Sequence, residues 1–146
     1  MTEEFLSFFA EETSQCARRF AATLQRGDMV SLCGELGAGK TEFMRGITEF
    51  FNCDDQLSSP TFPLLNIYEG SLDGKPVTVH HFDLYRINSL QELEGIGFDE
   101  YLSIGDFSFV EWADRFPQYA LLYTVTITLE YAGSESRRIV IKRKTS

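Results

Sequence analysis

The eight residues Gly34-Glu35-Leu36-Gly37-Ala38-Gly39-Lys40-Thr41 match the pattern G-x-x-x-x-G-K-[ST], and their flanks leave little freedom of fold. Before them, Asp28 to Cys33 reads as a short buried strand; after them, Thr41 to Phe51 reads as a helix. A strand that passes through a glycine-rich turn into a helix gathers backbone N–H groups and the helix N-terminus around one point, where an anion is favoured. Lys40 adds a full charge there, and the Thr41 hydroxyl suits a Mg2+ ion bridging phosphates. The expectation is a nucleoside triphosphate held by Glu35, Leu36, Gly37, Ala38, Gly39, Lys40 and Thr41.

The remaining pattern predicts a three-layer α/β fold of the P-loop NTPase type, in one domain. It has a mixed, mainly parallel central sheet and an antiparallel C-terminal hairpin. Phe5 to Phe9 reads as a leading strand. Thr13 is a plausible N-cap for a helix carrying Cys16, Ala17, Phe20, Ala21 and Leu24 on one stripe, closed by Gly27. Phe62 to Tyr68 and Pro76 to Phe82 flank Asp73-Gly74, a two-residue hairpin signal. Ser89 to Tyr101 is weakly helical and broken by Gly95 and Gly97. Phe107 to Val110 is a buried strand, and alternation from Tyr123 to Tyr131 continues through Ile139 and Ile141 as the final hairpin.

Charge narrows the function. The net charge of −9 disfavours a chain that grips nucleic acid unaided, because counterion release needs clustered Lys and Arg. The five basic residues after position 136 are the exception: they are readable as a contact for RNA or an acidic partner, or, more often for such a tail, as a solvated strand end that keeps its edge from pairing. Cys16, Cys33 and Cys53 are odd in number and form no C-x-x-C pair, which predicts reduced thiols and no zinc site. With no signal peptide and no apolar run of spanning length, a cytoplasmic protein without membrane contact is expected.

A phosphate loop needs a carboxylate on a neighbouring strand end to hold a metal or its water shell. Asp83 and Glu111 compete for that role, each also readable as a turn former or N-cap. Glu111 follows the more apolar run, which suits a central strand; Asp83 suits a strand nearer the margin, with His81 on its face. His80 and His81 point to opposite faces and cannot share a metal. Trp112 is readable as core or as a ligand platform, and Arg86 as a phosphate contact or a surface ion-pair partner. No N-K-x-D stretch occurs, which favours ATP over GTP. Beyond Arg86 and Arg115 there is little to build a kinase lid, so a slow hydrolase is expected.

The ordered set Gly34–Thr41, Ser59-Pro60-Thr61-Phe62, His81-Phe82-Asp83-Leu84-Tyr85-Arg86 and Val110-Glu111-Trp112 resembles the TsaE (YjeE) family. That resemblance implies an ATPase required for threonylcarbamoyl modification of the tRNA adenosine next to the anticodon. It implies ATP and Mg2+ as cofactors, TsaD and TsaB as protein partners, and tRNA reached only through their complex. Lys40 and Thr41 match phosphate and Mg2+ contacts, and Thr61 matches a switch residue sensing the γ-phosphate or metal. Asp83 matches an acidic residue needed for activity, Glu111 a metal-side carboxylate, and Trp112 a functional aromatic. Two other readings stand beside it: a nucleotide-state binding module without obligatory hydrolysis, and a small-metabolite kinase. Glu42 departs from the family, which places a small hydroxyl residue there; Glu42→Thr is expected to tighten ATP binding modestly.

Overall fold

The structure is a computed structural model that describes residues 2–35, 38–53, 60–62 and 64–144. Its strands are β1 (Thr2–Ser7), β2 (Met29–Gly34), β3 (Pro60–Phe62), β4 (Leu65–Leu72), β5 (Lys75–Asp83), β6 (Phe107–Glu111), β7 (Val125–Tyr131) and β8 (Arg137–Arg143). Its helices are α1 (Ala10–Ala21), α2 (Lys40–Phe50), α3 (Leu90–Gly95) and α4 (Phe98–Ile104), with 3-10 turns at Ala113–Arg115 and Pro117–Leu122. All eight strands form one sheet in the order β1-β8-β7-β2-β6-β5-β4-β3. The four central strands β7, β2, β6 and β5 are mutually parallel, and antiparallel strands extend both margins. The expected architecture is therefore present.

Period-two alternation divides the core between the two faces of this sheet. Val30, Leu32, Val79, Phe107, Phe109 and Ile127 pack with Phe20, Phe43 and Ile47 of α1 and α2. Phe82 and Val110 point the other way, against Leu93, Phe98 and Leu102 of α3 and α4 and against Phe116 and Tyr119. Asp73 and Gly74 both have positive φ (52° and 77°), as a two-residue turn between β4 and β5 demands. Gly97 (φ 77°) breaks α3 from α4 where the sequence pattern weakens.

Several local expectations change. The leading strand ends at Ser7, short of Phe9, and α1 ends at Ala21, so Leu24 and Gly27 lie beyond it. Helix α1 starts at Ala10, three residues before Thr13, because Glu12 turns back to accept a hydrogen bond from the Phe8 N–H at 2.7 Å. Thr13 lies inside the helix, where its hydroxyl meets Ser7 Oγ at 2.7 Å. The basic C-terminal segment is not a sheet edge either. β8 pairs with β7 on one side and β1 on the other. Arg138 meets Glu4 at 3.1 Å and Glu130 at 4.0 Å, and Arg143 meets Glu3 at 3.6 Å. Two of the five positive charges are thus opposed by the N-terminal strand, a pairing that no local pattern discloses.

His80 is buried on β5 with Nδ1 2.9 Å from the Tyr101 carbonyl. A carbonyl only accepts, so Nδ1 carries the proton. Burial lowers the His80 pKa, against smaller opposing effects of the Tyr101 hydrogen bond and the Asp106 charge. Below the ordinary histidine value of about 6.5 the unfolded chain therefore takes up a proton before the folded one does. Stability from this group is complete above that pH and falls below it. The melting temperature should drop between pH 7.5 and 5.5, less steeply in His80→Gln; equal slopes in the two proteins would refute the assignment.

Candidate functional site

The phosphate loop leaves β2 at Gly34 and enters α2 at Lys40, with Gly39 at the N-cap in a left-handed conformation (φ 103°). Gly34 is close-packed: a Cβ there would lie 2.8 Å from the Leu129 carbonyl oxygen on β7. Leu36 and Gly37 lie outside the described residues. Ala38 is fully buried, Thr41 is exposed at the first turn of α2, and Glu35 is exposed after β2.

Strand register brings the later motifs to this loop. β6 pairs with β2 and β5 pairs with β6, both parallel, so Asp83 and Glu111 stand directly beside each other at the strand ends. Both share the α2 face with His81, since Val79 and Phe109 of the same parity pack beneath α2. Together Gly39, Lys40, Thr41, Asp83, Glu111 and Trp112 line a cavity of about 410 Å3.

Lys40 is the centre of the arrangement. Only 6% exposed, its ammonium donates to the Gly34 carbonyl at 2.7 Å and lies 3.7 Å from Glu111 Oε1. It also sits 4.2 Å from the centre of the Trp112 ring, a cation–π contact. Glu111 accepts a hydrogen bond at Oε2 from His81 Nε2 at 2.5 Å. Burial would raise the Glu111 carboxyl, but the His81 hydrogen bond and charge, with Lys40 adding to them, hold it below the usual range. It is thus an anion at neutral pH, hydrogen-bonded to His81 and ion-paired with Lys40. Asp83 is exposed, and its Oδ1 accepts from the Tyr85 N–H at 3.0 Å.

Trp112 takes a left-handed backbone conformation (φ 63°, ψ 28°), uncommon for a bulky residue. That turn sends the chain away from β6 and lays the ring beside Lys40 and Tyr85, whose ring centre is 5.0 Å away. Arg115 donates to the carbonyls of Leu84 and Tyr85, tying the segment after β5 to the segment after β6. It serves as a brace for the site. Arg86 is exposed and lines a separate cavity that shares Asp83 and Tyr85 with the first. The structure describes Thr61 as backbone within β3 only. Strand parity places His81 with Asp83, but His81 bonds Glu111, and only the β5–β6 register shows which carboxylate it meets.

The donor set suits Mg2+. Thr41 hydroxyl and the Glu111 and Asp83 carboxylates are hard oxygens, and Mg2+ commonly takes one or two protein carboxylates with water and phosphate completing its shell. No group of three or more His, Cys, Asp or Glu able to enclose a metal occurs among the described residues, so such an ion would depend on the phosphates it accompanies. Glu42 turns along α2 to Arg45, with 3.1 Å between Oε2 and Nη1. That partner offsets much of its repulsion toward a triphosphate. Glu42→Thr should tighten ATP binding by less than about 1 kcal/mol, below tenfold. Calorimetry showing unchanged or weaker binding would contradict this.

Among the described residues, no helix is long and apolar enough to cross a membrane. A family model described as threonylcarbamoyl adenosine biosynthesis protein TsaE matches residues 9–140. Three relatives bear the description tRNA threonylcarbamoyladenosine biosynthesis protein TsaE. The Rickettsia conorii protein is 37% identical over 87% of this chain and 70% of its own length. That of Treponema pallidum is 33% identical over 90% and 94%, and that of Bacillus subtilis 33% over 88% and 78%. The crystal structure of Bacillus subtilis YdiB superposes with a TM-score of 0.72 at 27% identity, covering 98% of this chain and 86% of that one. The chain belongs to the TsaE family of threonylcarbamoyl adenosine biosynthesis proteins.

Proposed function

We propose that this chain is a Mg2+-dependent ATPase subunit for threonylcarbamoyl modification of the tRNA adenosine next to the anticodon, working with TsaD and TsaB. The observation that carries the reading is the placing of Lys40, buried at the N-terminus of α2 and facing Glu111 across the end of β6. A buried ammonium beside a helix N-terminus is a site for a polyanion. The phosphate loop and Lys40 would hold the triphosphate, with Thr41 and Glu111 on the metal side. Bound Mg2+ would neutralise charge developing on the phosphates. Asp83, exposed at the neighbouring strand end, is the carboxylate free to meet an attacking water or a switching segment that includes Thr61. Adenine is favoured by the absence of a guanine-reading motif in the sequence.

No arginine among the described residues lines the Lys40 cavity, and a partner-supplied cation commonly gives phosphate-loop enzymes roughly 10^3-fold or more. Turnover by the isolated chain should therefore be slow and rise when TsaD and TsaB are added. Equal turnover with and without them would exclude partner gating. Asp83→Asn and Glu111→Gln should retain bound nucleotide while abolishing tRNA modification. Modification that survives both changes would instead indicate that binding alone suffices.

A further inference from the structure

His81 lies on the α2 face of β5, two residues before Asp83, and its side chain is 15% exposed. It is not among the described residues that line the Lys40 cavity, so it acts on a bound ligand only through a neighbour. That neighbour is Glu111. His81 Nε2 stands 2.5 Å from Oε2 and Lys40 Nζ stands 3.7 Å from Oε1, so the two oxygens of one carboxylate have different partners. A carboxylate anion only accepts. The proton of the bond therefore sits on His81 Nε2, which leaves that nitrogen no lone pair to offer a metal.

Strand register shows what the bond does. Asp83 and Glu111 are direct partners across β5 and β6, while His81 pairs with Phe109 two residues back. Two carboxylates side by side on one face repel each other. The Glu111 side chain instead reaches diagonally back to His81, and Asp83 is turned aside by the Tyr85 N–H at 3.0 Å. Each acid has its own donor, and the two are held to separate positions at the mouth of the phosphate site.

We propose that His81 is a positioning residue for the metal: by holding Glu111 at Oε2 it leaves Oε1 for Mg2+ or its water shell once Lys40 turns from that oxygen to the phosphates. The proposal rests on the Mg2+-dependent reading above. When Lys40 turns away, Glu111, 14% exposed, loses one of its two partners, and the His81 bond keeps the buried anion satisfied. A donor one step out from a metal also fixes the direction of the ligand it touches, and its loss typically costs roughly ten- to a hundred-fold in metal affinity. A purely architectural His81 would tie β5 to β6 and would affect ATP binding equally with and without the metal.

The test is calorimetry of ATP binding by the full chain, with Mg2+ and with EDTA in its place, for wild type, His81→Ala, His81→Gln and His81→Asn. The ratio of the two affinities isolates the contribution of the metal. In His81→Ala that ratio should fall roughly tenfold or more, while affinity in EDTA stays within about threefold of wild type. Glutamine carries its amide N–H about as far out as histidine Nε2, so His81→Gln should restore the ratio; asparagine stops short, so His81→Asn should not. If His81→Ala fails to fold, the contrast between glutamine and asparagine decides alone. A ratio unchanged in His81→Ala or equal in His81→Gln and His81→Asn would overturn the positioning role and leave the Mg2+-dependent reading intact. Pulsed EPR of wild type with Mn2+ and ADP should show no directly bonded nitrogen. Such a nitrogen would make a histidine the ligand, against the proposal. A wild-type chain whose ATP affinity does not respond to Mg2+ would refute the Mg2+-dependent reading, and the role of His81 with it.

Discussion

Lys40→Ala should weaken ATP binding by about 2–5 kcal/mol, roughly thirty-fold to a few thousand-fold. The lysine is 6% exposed and its ammonium has three neighbours, the Gly34 carbonyl, Glu111 and Trp112. Truncation removes the charge that a triphosphate would meet. It also leaves the Glu111 carboxylate, itself 14% exposed, with His81 as its remaining close donor. Removing one member of a buried charged pair costs more than the pair contributes, because the survivor stays desolvated. Loss of Lys40 should therefore also raise the Glu111 pKa toward the ordinary carboxylate value, since one of the effects depressing it is gone. Trp112, the only tryptophan, reports directly: ATP should change its fluorescence in the wild type by withdrawing the cation from its ring. Calorimetric affinity within twofold of wild type would show that Lys40 is not the phosphate contact.

Gly46→Ala should destabilise the fold although it replaces glycine with the best helix former. Propensity alone favours alanine by about 1 kcal/mol in a helix interior. Packing opposes it: the added Cβ would stand 2.3 Å from the Ser14 carbonyl oxygen and 2.7 Å from Ala17 Cβ on α1. The first of these is helix backbone, which cannot rotate aside. Overpacking typically costs 1–3 kcal/mol and more where backbone must move, so a net loss of about 2 kcal/mol is expected. For a domain of this size that corresponds to a melting temperature lower by roughly 5–10 °C. Because α2 carries Lys40 and Thr41 at its first turn, ATP affinity should fall as well. Gly95→Ala in α3 is the contrast, since a Cβ there meets nothing within 4 Å, and it should be neutral or stabilising. A Gly46→Ala protein as stable as wild type would refute the packing argument.

These two residues illustrate what a sequence can disclose. Lys40 is legible because its role is local: strand, glycine turn and helix are written within some twenty consecutive residues. Gly46 looks like a weak point in a helix until α1 is seen against it. Asp83 and Glu111 fall between these cases. Their strands are recognisable from apolar runs, and the greater apolarity of Phe107–Val110 marks it as the more central one. That order holds, with β6 next to β2 and β5 beyond it. The alignment of Asp83 with Glu111 is a register fact, set by which residues of β5 and β6 pair, and carries no local signature.

The sequence by itself determined the phosphate loop, the alternating strands, the hairpin at Asp73-Gly74 and the resemblance to one family. Each rests on contacts between near neighbours or on a fixed period of side-chain direction. Only the tertiary structure decided that His81 bonds Glu111, that Trp112 lies beside Lys40, and that Arg115 braces the segments after β5 and β6. It also decided that glutamates of β1 face arginines of β8. The reason is physical: these pairs lie 30 to 140 residues apart in the chain, and their meeting depends on strand order and register. Local propensity fixes which segments can form; burial of two sheet faces at once fixes which side chains they bring together.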